Sequence, residues 1–114
     1  MIVEMRTCQI EPTKVSEYLD QYAFHGQKIQ TEHLGPSLGC FSAEMESLDQ
    51  VIFLWAFMSC DERLRKYERL SLDPQWQAYI ALSQPLVVSE EIKLLTPAVA
   101  PIPLQPYFDC AFGG

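Results

Sequence analysis

The residues of this chain that could do chemistry are few. In the opening stretch IVEMRT, Glu4 and Arg6 alternate with Val3, Met5 and Thr7. Alternate side chains of a strand share a face, so Glu4 and Arg6 lie with Ile2 and Cys8, roughly 7 Å apart between Cα atoms. An Arg fork pairs bidentately with a carboxylate, either its neighbour's or a ligand's. The pair therefore reads as a structural ion pair, as the anion-recognising end of a pocket, or as a solvated edge, and the structural pair is favoured. His33 is the candidate catalytic residue: it precedes the Gly-Pro of QTEHLGPSLG, read as a loop, and an ordinary pKa of about 6.5 suits general acid or base work. A surface loop histidine is the plainer alternative. His25 closes an amphipathic segment and reads as a charge complementing a helix C-terminus. Tyr22, Trp55, Phe57 and Tyr67 could line an apolar pocket with polar tips, although core packing is the commoner use of such residues. Candidate ligand contacts are thus Arg6, Glu4, Tyr22, Trp55 and Tyr67.

Other chemistries find no support. The two histidines have no third ligand at metal spacing, and Cys8, Cys40, Cys60 and Cys110 form no CxxC, so neither a metal nor a cofactor is expected. The cysteines read as free thiols in a reducing cytoplasm. The net charge of −7 argues against a nucleic-acid surface or an anionic membrane as partner. Charge at Glu4 and Arg6 breaks any N-terminal apolar run, so no signal peptide or membrane span is expected.

The elements that must position these residues follow from periodicity. The β-branched run at 2–10 predicts a strand, broken by Glu11-Pro12-Thr13. Val15, Tyr18, Leu19 and Tyr22 stand at helical spacing, in a helix expected to stop near Gly26 or to add a turn through Ile29. A loop then leads to a strand at 38–46 and a hairpin connection at 47–49. QVIFLWAFM, at 50–58, is the strongest strand, and large apolar residues on both sides imply that both faces are buried. Ser59 and Glu62 form a capping box before a helix expected to turn Leu64, Tyr67 and Leu70 or Ser71 inward. Asp73-Pro74 starts another helix, with Trp76, Tyr79 and Ile80 apolar. Pro85 ends it, and 86–95 is the last strand. Residues 1–97 read as one domain and 98–114 as an extended tail with prolines at 101, 103 and 106. The order β-α-β-β-α-β predicts the ferredoxin-like α+β class, one four-stranded antiparallel sheet with its first and third strands central.

Two helical layers cover only one sheet face. Three or four large apolar residues left in water on the other would forfeit roughly 5–10 kcal/mol, as much as a whole domain's stability. A second copy packed sheet to sheet is the expected remedy, with the Pro-rich tail as the alternative cover.

Three blocks carry a resemblance. IVEMRTCQIEP resembles the opening of NIPSNAP-family domains, an apolar pair, E-[LM]-R-T-Y and P-G. LGCFSAEMESLDQVIFLWAF is similar to the family's central hairpin, and DPQWQAY with LVVSEEIKLLTP to its last helix and strand. The similarity spans residues 2–97 and implies a bacterial single-domain member forming a dimeric α+β barrel. That superfamily includes cofactor-free oxygenases and isomerases, so the resemblance implies an apolar or aromatic ligand between sheet and helices. A non-catalytic protein-interaction module is the other function it allows. Three positions depart from the pattern: Cys8 stands where the family has Tyr, Thr13 replaces the Gly of P-G, and Ser47 replaces a Gly.

Overall fold

The computed structural model describes residues 1–45 and 48–99. Most of the predicted tail, and Glu46 and Ser47 of the predicted hairpin, lie outside the described residues. Strand β1 (Ile2–Ile10) leads into two helical segments, α1 (Val15–Gln21) and α2 (Gln27–Leu34). Strands β2 (Gly39–Ser42) and β3 (Gln50–Phe57) follow. Helices α3 (Cys60–Ser71) and α4 (Pro74–Ser83) then precede β4 (Val87–Leu95). The sheet order is β2-β3-β1-β4, all antiparallel, so β1 and β3 are central as expected.

Side-chain chemistry sets the boundaries. The Ser59 hydroxyl accepts from the Glu62 N–H at 3.1 Å, the cap half of a capping box, and the Glu62 carboxylate accepts from the N–H of Met58, one residue before the cap. Asp73 caps α4 by accepting from the Gln75 N–H, and Pro74 sits where no intrahelical donor is needed. Beyond β1, Lys14 N–H bonds Glu11 O, closing a turn whose third residue, Thr13, has φ +70°. That is the left-handed position at which a turn with Pro before it ordinarily carries Gly.

The first helical arm is longer than predicted. It runs on to Leu34 through a π-turn over Tyr22–Gly26, in which Gln27 N–H bonds Tyr22 O. Gly26 does not stop the helix; it is there because a Cβ would meet the Tyr79 ring at 2.7 Å. The stop is Gly35, φ +87°, one residue before Pro36. His33 therefore lies in the last turn of α2 rather than in a loop.

The two faces of the sheet differ. Toward the helices, Val51, Phe53, Trp55 and Phe57 of β3 are buried together with Ile10, Leu34 and Leu70, and Tyr22 meets Phe53 edge to face at 5.0 Å. On the other face Ile52, Leu54 and Ala56 are only half-buried, and Met58 beyond the strand is exposed. Among the described residues, then, β3 is fully buried on one face only, because their helices all lie on the same side. The inward stripe of α3 is also rotated from the predicted one. Leu64 is 60 % exposed while Leu70 is buried, because Arg63 and Tyr67, one turn apart, both reach the sheet. Strand β2 ends at Ser42, shorter than the predicted 38–46.

Candidate functional site

The helix-facing side of β1 carries Glu4, Arg6 and Cys8, and the register sets them beside Trp55, Phe53 and Val51 on one flank and Leu94, Ile92 and Glu90 on the other. Over them lies a cavity of about 300 Å3, floored by Arg6, Cys8 and Phe53 and roofed by Tyr18, Tyr22, Gln30, Tyr67 and residues of α4. Its volume is at the small end of ligand pockets.

One end is an ionic network. Glu4 is fully buried, and its Oε1 accepts from Nε and Nη2 of Arg63, both at 2.7 Å. Its Oε2 accepts from the Tyr67 hydroxyl at 2.5 Å and from Arg6 Nε at 3.4 Å. Arg6 Nη1 donates to Glu90 Oε1 at 2.9 Å, an oxygen that also receives the Cys8 thiol at 3.7 Å. The Tyr67 ring lies between the two guanidinium groups, 5.2 Å from Arg6 and 5.1 Å from Arg63. Two cations meet two carboxylates, so the network is neutral and each buried charge is partnered, the condition under which burial is tolerated. Burial pushes the Arg6 pKa down, but Tyr67, Glu4 and Glu90 outweigh it and leave it raised. Burial, then Glu90, pushes the Cys8 thiol up to about 12, which removes it as a nucleophile near neutrality.

The other end is phenolic. Tyr22 donates to Gln30 Oε1 at 2.6 Å, which leaves the Gln30 amide NH2 as a donor. Burial first, then neighbouring ionisable groups, raises the pKa of Tyr18 and Tyr22; burial likewise raises Tyr79, so all three remain protonated donors. The Tyr79 hydroxyl is buried and, among the described residues, has no hydrogen bond of good geometry, although Tyr18 and Ser83 are near it. An unsatisfied buried hydroxyl costs about 1–3 kcal/mol. It is the one orphaned polar atom among the described residues that faces this cavity.

Of the residues singled out in the sequence, Arg6, Tyr22 and Tyr67 line the cavity together. Glu4 lies behind them, holding Tyr67 and both arginines. Trp55 is buried beside Glu4 with its indole N–H unpartnered, outside the cavity wall. His33 is also outside the wall: its Nε2 sits 2.8 Å from Asp73 Oδ2, tying the end of α2 to the start of α4. His33, then the Gln75 N–H, holds the Asp73 carboxyl below its ordinary pKa. Sequence reasoning missed Arg63, Glu90, Gln30 and the hydroxyls of Tyr18 and Tyr79. Two of them had a signal. Arg63 is one helical turn from Tyr67, and Glu90 alternates with Ile92 and Leu94 opposite Cys8, Arg6 and Glu4.

This fold, with its cavity between helices and one sheet face, defines a ferredoxin-like α+β protein. It is shared with a putative antibiotic biosynthesis monooxygenase from Bacteriodes thetaiotaomicron at TM-score 0.64 and 17 % identity, covering 90 % of this chain and 93 % of that one, and at such identity the likeness is one of fold alone. The NIPSNAP family model matches residues 3–101, and the chain belongs to that family. It is similar to a NIPSNAP domain protein from Burkholderia xenovorans, 37 % identical over 90 % of this chain and 100 % of that one, TM-score 0.84. It is also similar to a NIPSNAP family protein from Agrobacterium tumefaciens, 36 % identical over 85 % and 92 %, TM-score 0.83. No curated protein matches the chain. Among the described residues, no helix is long and apolar enough to cross a membrane.

Proposed function

We propose that this chain binds a small, neutral, hydroxylated aromatic molecule in the cavity between sheet and helices, and does so as a homodimer in the cytoplasm. The observation that carries the reading is the buried Tyr79 hydroxyl, which has Tyr18 and Ser83 beside it but no well-formed hydrogen bond among the described residues, in a cavity whose charges already cancel. A carboxylate ligand would have to displace Glu90 from Arg6, whereas a phenol pairs with Tyr79 and Gln30 without disturbing either ion pair. Arg6, Tyr22 and Tyr67 are the wall contacts, Glu4 and Arg63 hold them in place, and His33 acts through the α2–α4 junction. Among the described residues Glu90 is the carboxylate that lines the cavity, but it is engaged by Arg6 at the end opposite Tyr79 and Gln30. The reading is therefore one of binding, and a cofactor-free isomerisation, or an oxygenation with dioxygen as oxidant, would need a ligand long enough to reach it.

The homodimer rests on the open face, where Val3, Met5, Ile52, Leu54 and Ala56 are half-buried and Phe41 is 51 % exposed. The cytoplasmic location rests on Cys8, Cys40 and Cys60, all free thiols. A second reading, a non-catalytic interaction module, draws on Phe24, 82 % exposed beside His25, Lys28 and Leu82.

Calorimetric titration with 2-naphthol and 2-naphthoate tests the ligand. Naphthol is expected to bind more tightly. Tyr79→Phe is expected to weaken it about tenfold, the worth of one hydrogen bond, without lowering the melting temperature. Equal affinity for naphthoate, or no binding of either compound, would leave the interaction module as the better reading.

A further inference from the structure

The inner cavity shares its α4 wall with another space. Four of its wall residues, Ser71, Trp76, Ile80 and Gln84, also border a second hollow of about 430 Å3 on the outer flank of that helix, completed by Gln77 and Ala81. The shared wall follows from helix geometry. Trp76, Tyr79, Ile80 and Ser83 form the inward stripe of α4, and Gln77, Ile80, Ala81 and Gln84 the adjacent one. Ile80 belongs to both. Trp76, half-buried with its ring 5.2 Å from that of Tyr79, stands between the hollows. Gln77 Nε2 donates to Ser71 O at 2.9 Å and closes the far end between α3 and α4.

The two hollows differ in chemistry. The inner one holds the phenolic groups and the Arg6–Glu90 pair. Among the described residues no ionisable side chain borders the outer one, and its floor is Trp76, Ile80 and Ala81. Gln77 and Gln84 stand two helical turns apart, roughly 10 Å at the ordinary rise, the length of an extended octyl chain. Resting on the proposed ring-binding role of the inner cavity, we infer that the site takes an elongated amphipathic molecule: a neutral hydroxylated ring inside and a flexible apolar chain lying along α4 over Trp76 and Ala81. Trp76 is then the specificity-determining residue at which ring and chain join.

Titration of the full chain with 4-methyl-, 4-butyl- and 4-octylphenol tests this. A fully buried methylene strengthens binding about fourfold, and the outer hollow is open on one side. The octyl compound is therefore expected to bind at least about tenfold more tightly than the methyl compound. Ala81→Glu, at an exposed position, places a charge in the path of the chain and is expected to bring that ratio close to one. As a check on the unaltered protein, the Ala81 methyl resonance shifts with 4-octylphenol and not with 4-methylphenol. Equal affinity across the series, with 4-methylphenol bound, overturns the elongated ligand and leaves the ring site standing. An octyl advantage that survives Ala81→Glu, or a silent Ala81 methyl, also overturns it by putting the chain elsewhere. No binding of any member removes ring site and chain path together.

Discussion

Strand β1 shows the same nine residues solving two problems. On its helix side it places Glu4 and Cys8 where water is nearly absent, with Arg6 half-buried between them; on its open side it places Val3, Met5 and Thr7 where the other described residues leave them half uncovered. Charge is inside and apolar surface outside, the reverse of the usual partition. The difference lies in partners. Glu4 is surrounded by Arg63, Tyr67 and Arg6, so its burial is compensated within the chain. The apolar residues opposite are left half-covered by the described residues, which is why a second copy is proposed there.

This contrast predicts unequal responses to substitution. Glu4→Ala leaves Arg63 and part of Arg6 buried without an anion, and breaking a buried ion pair from one side costs about 3–5 kcal/mol; denaturant unfolding should show a loss of that size. Leu54→Asp, at the centre of the open face, should leave the fold intact and convert a species of dimer mass to one of monomer mass in light scattering at micromolar concentration. A monomer mass for the unaltered chain would remove the proposed dimer, and a dimer mass unchanged by the substitution would put its interface elsewhere. Tyr67→Phe removes one hydrogen bond to Glu4 but keeps the ring between the guanidiniums, so about 1–2 kcal/mol should be lost, well below Glu4→Ala. Thr13→Gly touches neither face. It relieves a β-branched residue at φ +70° and should raise stability by about 1 kcal/mol.

Much of this architecture was legible in the sequence. Strand propensity, the Ser59–Glu62 capping box and Asp73-Pro74 are local signals, and they set β1, β3, α3 and α4 close to where they lie. The first helical arm was cut short because Gly26 reads locally as a stop. Its actual role, making room for a ring fifty residues later, depends on tertiary contact. Arg6, Tyr22 and Tyr67 were found because strand and helix periodicity place them inward. Arg63 is hard to single out because DERLRKYER mixes acids and bases along one helix, and what distinguishes Arg63 is the buried Glu4 carboxylate beneath it. The unpartnered Tyr79 hydroxyl leaves no trace in sequence at all, since it is defined by what surrounds it.

Gly26 has a consequence for how this scaffold can diversify. It is not part of the cavity wall. Yet a methyl group there, 2.7 Å from the Tyr79 ring, has to shift a ring that is. The caliber of the site is thus adjustable from behind its wall, by one residue in a helical turn, with every ligand-facing side chain left as it is.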